Sequence, residues 1–283
     1  MLLVTARPNI VVTFVKTKGN FPLNNALSAF TFTHLRIHGA RRFHAQGFGT
    51  LDVLGAADHP CDADFGMQAR VRDIEVVRLG RIRYADAMAL MEARAEARLA
   101  KTAPDTLFLL EHDAVLTLGR RADTTHILAA PDELAARGIE QFETGRGGDV
   151  TYHGPGQIVA YPVLDLRPDR QDVRRYVGDL EETMIRAVAR FGITAGRVDK
   201  LNGTWVGGER KIGAVGVRIA RWITTHGFAL NVSTDLDQFQ AVIVPCGIQG
   251  KAVTSISKEI GREVTMDEGL AAVEAAFLDV FTS

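Results

Sequence analysis

The sequence is poor in cysteine, and this scarcity excludes several classes of protein. Its 283 residues contain two cysteines, Cys61 and Cys246, which lie far apart in the chain. Two such distant thiols cannot supply a disulfide framework or the sulfur ligands of a zinc site. The histidines also lack metal-ligand spacing, so we predict no bound metal. A reducing compartment fits this composition best.

Strong net charge and long apolar runs are also missing. The formal net charge is −1, and charged residues make up 24% of the chain. Because there is no basic field, we do not expect nucleic acid as a partner. No stretch reaches 18 consecutive apolar residues, so no membrane span is predicted. The 46% of hydrophobic residues is ordinary for a globular protein that buries a large core.

The N-terminal segment differs in composition from the rest of the chain. Its first 49 residues contain six basic residues and no acidic one. Transit peptides have this charge pattern, but they are rich in serine, and this segment has only Ser28. The first methionine after Met1 is Met67, just before the regular patterns begin. We therefore predict an atypical extension over residues 1–70, dispensable or poorly ordered, and a main domain over residues 71–283.

Local patterns in the main domain predict both strands and helices. "IEVVRLG" is typical of a strand, and "YADAMALMEARAEARLA" is rich in strong helix formers. Between residues 172 and 191 apolar side chains recur at spacings of three and four. Three strand patterns follow, "GTWVGG", "RKIGAVGVRIA" and "WITTHGFALNVS", and then a C-terminal amphipathic helix. We predict an α/β fold of the α+β type, a mixed sheet with flanking helices.

A glycine-rich loop, "GRGGDVTYHGPGQ", occupies residues 145–157. Its five glycines allow the backbone to approach a ligand closely. It is not a phosphate-binding P-loop, because no Gly-Lys-Ser/Thr follows, and it opens a strand and not the helix of a dinucleotide fold. Arg146 could hold an anionic or carbonyl group, and His153 could transfer a proton or brace the loop. A purely structural tight loop is the alternative.

A single lysine, Lys211, begins the apolar strand "RKIGAVGVRI". Strict strand alternation places Lys211, Gly213 and Val215 on one face. Gly213 and Gly216 would leave space beside the lysine for a substrate. The alternative is an ordinary solvated lysine at a strand end.

Cys246 lies in "VPCGIQG", where Pro245 favours an extended backbone and Gly247 leaves the sulfur without a neighbouring side chain. A free thiol with a pKa near 8.5 is only about 3% ionised at pH 7. A nearby ammonium could bring this pKa to about 7 and make the sulfur nucleophilic. Lys211 or His153 could act in this way if the fold brings either of them close. A small apolar core residue is the alternative.

Taken together, four ordered motifs resemble the octanoyltransferases, also called lipoyl(octanoyl) transferases or lipoate–protein ligase B. The signature Arg-Gly-Gly-x-x-Thr-x-His-Gly-Pro-Gly-Gln occurs in full at residues 146–157. The lysine strand occurs as "RKIGAVGVRI", the His-Gly-x-Ala-x-Asn segment as "THGFALNVSTDL", and Pro-Cys-Gly within "VPCG". The resemblance covers roughly residues 71–281. It implies a catalytic domain related in fold to the biotin and lipoate protein ligases.

The resemblance also implies an activity and a set of residues. The octanoyl group would pass from octanoyl-acyl carrier protein to a lysine of a lipoyl domain, the first step of endogenous protein lipoylation. The acceptors would be E2 subunits of 2-oxo acid dehydrogenases and the glycine-cleavage H protein. Cys246 would carry the acyl group as a thioester, Lys211 would lower its pKa, and no cofactor would be needed. The implied substrate-binding residues are Arg146, Gly147, Gly148, Asp149, Val150, Thr151, Tyr152, His153, Ala214, Val215, Gly216, Gly227, Phe228 and Ala229.

Other functions remain open from sequence. An ATP-dependent lipoate or octanoate ligase of the same fold would use an acyl-adenylate and no cysteine. A non-catalytic acyl- or lipoyl-domain-binding protein would need neither Cys246 nor Lys211. A papain-like hydrolase is the least favoured, since neither a signal peptide nor disulfides accompany the thiol. The expected compartment is the cytoplasm, or a mitochondrion or plastid if residues 1–66 are a transit peptide.

Overall fold

The computed structural model describes residues 72–244 and 251–282, together with the backbone of four short strands nearer the N-terminus. The chain divides into two compact units, residues 1–66 and 67–283. The first unit contains two antiparallel strand pairs, which are β1 (Leu2–Thr5) with β2 (Val11–Phe14) and β3 (Arg42–Ala45) with β4 (Phe48–Asp52). Most of the predicted extension lies outside the described residues, so its dispensability stays a prediction.

The described residues of the second unit form eleven further strands and six α-helices. Its strands are β5 (Ile74–Ile82), β6 (Asp105–His112), β7 (Val115–Leu118), β8 (Glu140–Glu143), β9 (Val150–His153), β10 (Gln157–Val163), β11 (Ala195–Val198), β12 (Leu201–Val206), β13 (Arg210–Ala220), β14 (Ile223–Asn231) and β15 (Ala252–Val253). Its α-helices are α1 (Tyr84–Leu99), α2 (Pro131–Ala136), α3 (Val173–Ala189), α4 (Leu236–Val242), α5 (Ile256–Ile260) and α6 (Met266–Phe281). None of the described helices is long and apolar enough to cross a bilayer.

The central sheet has eight strands, in the order β11-β12-β13-β14-β10-β6-β5, with β15 paired to β13. β5 with β6 and β13 with β15 are parallel pairs, and the other neighbours are antiparallel. This arrangement confirms the prediction of a mixed sheet with flanking helices. Both edge strands are irregular, because the register shifts between Arg78 and Gly80 in β5 and between Gly196 and Val198 in β11.

Helices α3 and α6 fill one face of the central sheet. Asp172 caps α3 by accepting the backbone N–H groups of Arg174 and Arg175, and Thr265 and Glu268 form a capping box at the start of α6. The two helices bury a large apolar core against the sheet. Burying one large apolar side chain stabilises a fold by about 1.5–3 kcal/mol, so this face carries much of the stability.

The opposite face of the central sheet is covered in two parts. Ala87 and Met91 of α1 pack on the sheet beside Val163 and Ile223. A second sheet, in the order β8-β7-β9, lies over the neighbouring area, and α2 and α4 pack with it in a separate apolar cluster. Side chains do not fill the space between the central and second sheets, and a cavity forms there.

Candidate active site

The cavity has a volume of about 250 Å³ and is lined by residues of β9, β10, β13 and β14 and the glycine-rich loop. It brings together most of the residues that the sequence indicates, although they come from three separate segments. They are Arg146, Gly148, Asp149, Val150, Thr151, His153, Lys211, Ala214, Val215, Gly216, Gly227, Phe228 and Ala229. The central and second sheets therefore meet around one site.

Lys211 is buried at this cavity, with 7% of its surface exposed, and is therefore not the solvated lysine of the alternative interpretation. Its Nζ lies 5.3 Å from the centroid of the Trp205 ring, within reach of a cation–π interaction. Gly203 packs directly on the lysine stem, since a Cβ there would lie 2.8 Å from Cε. The backbone N–H of Thr254 donates to the Lys211 carbonyl at 2.9 Å. Contacts on several sides thus hold the lysine in place.

A β-bulge decides which residues share the cavity with Lys211. The pairing of β12 with β13 shifts at Ile212, which has no partner in the register. Beyond the bulge a Cβ at Gly213 would lie 2.4 Å from the sulfur of Met184 on α3, whereas Ala214 lines the cavity. The predicted alternation, with Lys211 and Gly213 on one face, is wrong because the extra residue reverses the alternation.

Arg146 forms one wall of the cavity and is almost completely buried. Its Nη2 donates to the Thr117 carbonyl at 2.6 Å and to the Thr117 hydroxyl at 2.8 Å. A Cβ at Gly216 would lie 3.0 Å from the Arg146 Cδ. Gly216 therefore makes room for the arginine stem, and this positive charge is fixed beside the cavity.

His153 belongs to a chain of buried hydrogen bonds. Gln157 donates through Nε2 to the Asn231 side-chain oxygen at 2.9 Å, which leaves its Oε1 to accept from His153 Nδ1 at 2.7 Å. Asn231 in turn donates to the Thr254 carbonyl at 2.9 Å. Burial, reinforced by His112, lowers the pKa of His153 to about 3. The imidazole is neutral at pH 7, and its bonding favours the role of a brace.

The chain is similar in sequence to known proteins. Residues 83–278 match the family model of the lipoyl protein ligase A/B catalytic domain. An octanoyltransferase of Solibacter usitatus is 54% identical over 191 residues, which cover 68% of this chain and 85% of that protein. An octanoyltransferase of Myxococcus xanthus is 52% identical over 215 residues, 74% of this chain and 60% of that protein.

The chain belongs to the octanoyltransferase family. Among solved structures, lipoate-protein ligase A bound with ATP shares 19% identity at a TM-score of 0.60, covering 74% of this chain and 85% of that one. A bipartite lipoate protein ligase of Thermoplasma acidophilum shares 20% identity at a TM-score of 0.57, covering 74% and 84%. These likenesses show that the chain shares its fold with the ligases.

One end of the cavity contains aromatic residues that the sequence motifs do not indicate. Tyr84, the first residue of α1, and Tyr161 of β10 both line it. The His112 Nδ1 donates to the Ile82 carbonyl at 2.9 Å, so its Nε2 accepts the Tyr161 hydroxyl at 2.8 Å. Burial lowers the pKa of His112. The histidine that ends the apolar run "LFLLEH" is the one sequence signal for this end of the cavity.

His226 lies in the cavity wall. Its φ of 56° is left-handed, which is uncommon for a residue other than glycine. Phe228, two positions later in β14, packs into the α3–α6 core, so regular alternation would turn His226 toward that core as well. Its ring instead lies 6.0 Å from that of Tyr161, in an edge-on arrangement. Burial, with Arg146 nearby, lowers the pKa of His226 to about 4.

Two residues of the implied substrate-binding set do not line the cavity. Tyr152 points away because neighbouring side chains of β9 face opposite ways, and its ring packs against Phe239. Its hydroxyl accepts from the side-chain amide of Gln238 at 2.7 Å. Gly147 pairs the loop to the central sheet, since its N–H donates to the Val217 carbonyl at 2.8 Å.

Two further expectations concern Cys246 and metal binding. Cys246 lies outside the described residues, so its predicted contact with Lys211 stays a prediction. Among residues 72–244 and 251–282, no three His, Cys, Asp or Glu side chains come together in a way that could hold a metal ion.

Proposed function

We propose that this chain transfers an octanoyl group from octanoyl-acyl carrier protein to a lysine of a lipoyl domain, through a thioester on Cys246. The observation that carries the proposal is the buried Lys211 at one end of a narrow cavity, in a chain of the octanoyltransferase family. A lysine in this setting suits the activation of a thiol. Membership of the family supports the octanoyl group as the cargo.

The reach of the chain supports a contact between Cys246 and Lys211. Ile243 lines a second, small cavity together with Lys211 and Val253. Cys246 follows Ile243 by three residues, and three extended residues span at most about 11 Å. Val253, on the other side of the cysteine segment, pairs directly with Lys211 in the parallel β13–β15 ladder. Both flanks of the segment therefore lie beside the lysine.

Two acyl transfers complete the proposed reaction. The Lys211 ammonium stabilises the Cys246 thiolate, which attacks the donor's thioester carbonyl. The bond between that carbonyl and the carrier's sulfur breaks, and the leaving thiolate takes a proton from the Lys211 ammonium. The amine of the acceptor lysine then attacks the Cys246 thioester, gives up a proton to a basic group such as neutral Lys211, and releases the thiolate. The thioester is already activated, so neither step consumes ATP.

The cavity walls suit an extended aliphatic chain. Val159 and Ala229 supply apolar surface, and burying each methylene is worth about 0.8 kcal/mol. Neutral His153 would brace the loop that covers the chain. A lipoyl domain as acceptor agrees with the Thermoplasma acidophilum system, in which a bipartite lipoate protein ligase was solved with its E2 lipoyl domain. We extend the acceptors to E2 subunits and the glycine-cleavage H protein, and place the reaction in the cytoplasm.

Incubation with octanoyl-acyl carrier protein and a lipoyl domain tests the proposal. Mass spectrometry of all three proteins should show an octanoyl adduct on Cys246 that hydroxylamine removes, followed by octanoyl on the acceptor lysine. Cys246→Ala should abolish transfer and leave the fold intact. Robust transfer by this variant would refute the thioester, and a requirement for ATP and free octanoate would establish the ligase alternative.

A further inference from the structure

The cavity has a defined length along β13. Lys211 lies at one end. At the other end Gly216 pairs with Gly227 of β14. Gly227 lies next to Tyr161 in β10, because the neighbouring pair in the register is Phe228 with Ala160. Five residue steps along β13 lead from Lys211 to Gly216, and the bulge at Ile212 takes up one of them. Four regular steps of about 3.3 Å give a distance of about 13 Å.

Helix α1 closes the cavity just beyond this point. Met91 is buried against the central sheet, and its sulfur accepts the backbone N–H of His226 at 3.0 Å. Ala87 packs with it into the same apolar cluster. An end wall, consisting of Tyr84, Tyr161 and His226, therefore separates the cavity from the core beneath α1.

The end wall is held rigidly. The Tyr161 hydroxyl donates to His112, which is itself anchored to the backbone carbonyl of Ile82. Only 4% of the Tyr161 surface is exposed, and the His226 ring stands edge-on to it at 6.0 Å. The Tyr84 ring packs 5.3 Å from that of His112. A ring fixed at its hydroxyl and along its sides cannot move aside for a longer ligand without breaking buried hydrogen bonds.

We propose that Tyr161, supported by Tyr84 and His226, is an end stop that limits the acyl chain to about eight carbons. The inference rests on the proposed function, since it takes the acyl carbonyl to lie beside Lys211. With C–C bonds of about 1.5 Å, an extended chain advances about 1.3 Å per carbon, so the octanoyl carbons span about 9 Å. Van der Waals clearance at both ends uses the remaining distance. Two more carbons need about 2.5 Å that the end wall occupies.

Tyr161→Leu tests the end stop, with Tyr176→Leu as the matched control. Tyr176 is an equally buried tyrosine, but it lies on α3 against the opposite face of the sheet. The measurement is kcat/KM for acyl-carrier donors of eight, ten and twelve carbons. Each newly buried methylene is worth about fourfold in affinity. Tyr161→Leu should therefore raise the ratio of ten-carbon to eight-carbon transfer by roughly tenfold, while Tyr176→Leu leaves it unchanged.

Two more variants keep the test decisive. Tyr161→Phe retains the ring and should lower the melting temperature without admitting twelve-carbon donors. Tyr84→Leu opens the same wall and keeps the hydrogen bond between Tyr161 and His112. It should also raise the ratio, and it replaces Tyr161→Leu in the test if that variant fails to fold. Folded Tyr161→Leu or Tyr84→Leu with the wild-type ratio would overturn the end stop.

Failure of the proposed function has a different signature. Wild-type protein that transfers no octanoyl group would refute that function by itself. The end stop would then be judged by calorimetric binding of free fatty acids of eight and twelve carbons to wild type and Tyr161→Leu. Equal discrimination between the two lengths by both proteins would overturn it.

Discussion

The two faces of the central sheet have different roles. On one face α3 and α6 form a continuous apolar core that includes the stacked rings of Phe277 and Phe281, 4.3 Å apart. On the other face α1 covers only part of the sheet, and the second sheet lies over the rest. The first face is filled, and the second retains a cavity of about 250 Å³.

The filled face stabilises the fold, whereas the cavity face lowers its stability. The filled face buries aliphatic and aromatic side chains. The cavity face buries Lys211, Arg146, His153 and His226, each of which would be better solvated in water. Substitutions on the cavity face should therefore impair activity more than stability, and substitutions on the filled face should do the reverse.

Lys211→Met should give the largest effect. In the proposed mechanism the ammonium lowers the pKa of Cys246, so its loss should reduce the ionised fraction of this thiol by about tenfold. The loss of a general base adds about 10²-fold, so kcat/KM should fall by about 10³-fold. Lys211→Arg should fold and acylate much more slowly, because a guanidinium is a poor base. Single-turnover octanoylation measures the rate of each variant, and thermal unfolding measures its stability. Lys258→Met, at an exposed lysine, is the control. An unchanged rate would remove Lys211 from the mechanism.

Phe277→Ala, on the filled face, should have the opposite result. The side chain is completely buried, and such truncations cost about 3–5 kcal/mol. Urea denaturation should register this loss, while the activity of the folded fraction stays at the wild-type level. Loss of activity in protein shown to be folded would contradict the separation between the two faces.

The smallest expected effect is a pH dependence that arises on the cavity face. Burial holds the pKa of His153 near 3 in the folded state, against about 6.5 when unfolded. Between these values only the unfolded chain takes up the proton, so stability falls as pH drops below 6.5, by about 1.4 kcal/mol per unit. His153→Gln should reduce the loss between pH 6.5 and 5 by up to about 2 kcal/mol in urea denaturation. If the free energy of unfolding changed equally with pH in both proteins, His153 would be protonated in the folded state.

Strong periodicity made much of the fold predictable from sequence. β5 and the long helices α3 and α6 lie where the apolar patterns indicate. The four- to seven-residue elements β11, α4 and α5 are too short for a periodic pattern and were not indicated. β9 is a strand within the glycine-rich loop, and its alternation turns Tyr152 away from the site.

The candidate site was predictable where function depends on local motifs. Lys211, Arg146 and His153 lie in the cavity as the motifs imply. The bulge at Ile212 was not predictable, because pairing with β12 creates it. Tyr84 and Tyr161 lie far apart in the chain, and only the packing of α1 on the sheet brings them together.

The irregular edges of the central sheet have a consequence for self-association. At β5 the ladder is interrupted at Leu79, and Arg78 and Arg81 form ion pairs with Glu274 and Asp113 at 2.7 Å. β11 at the other edge has only four residues and its own interruption. Short, interrupted and charged edges are poor templates for an incoming strand. The described sheet is thus protected against the edge-to-edge growth that leads to aggregates.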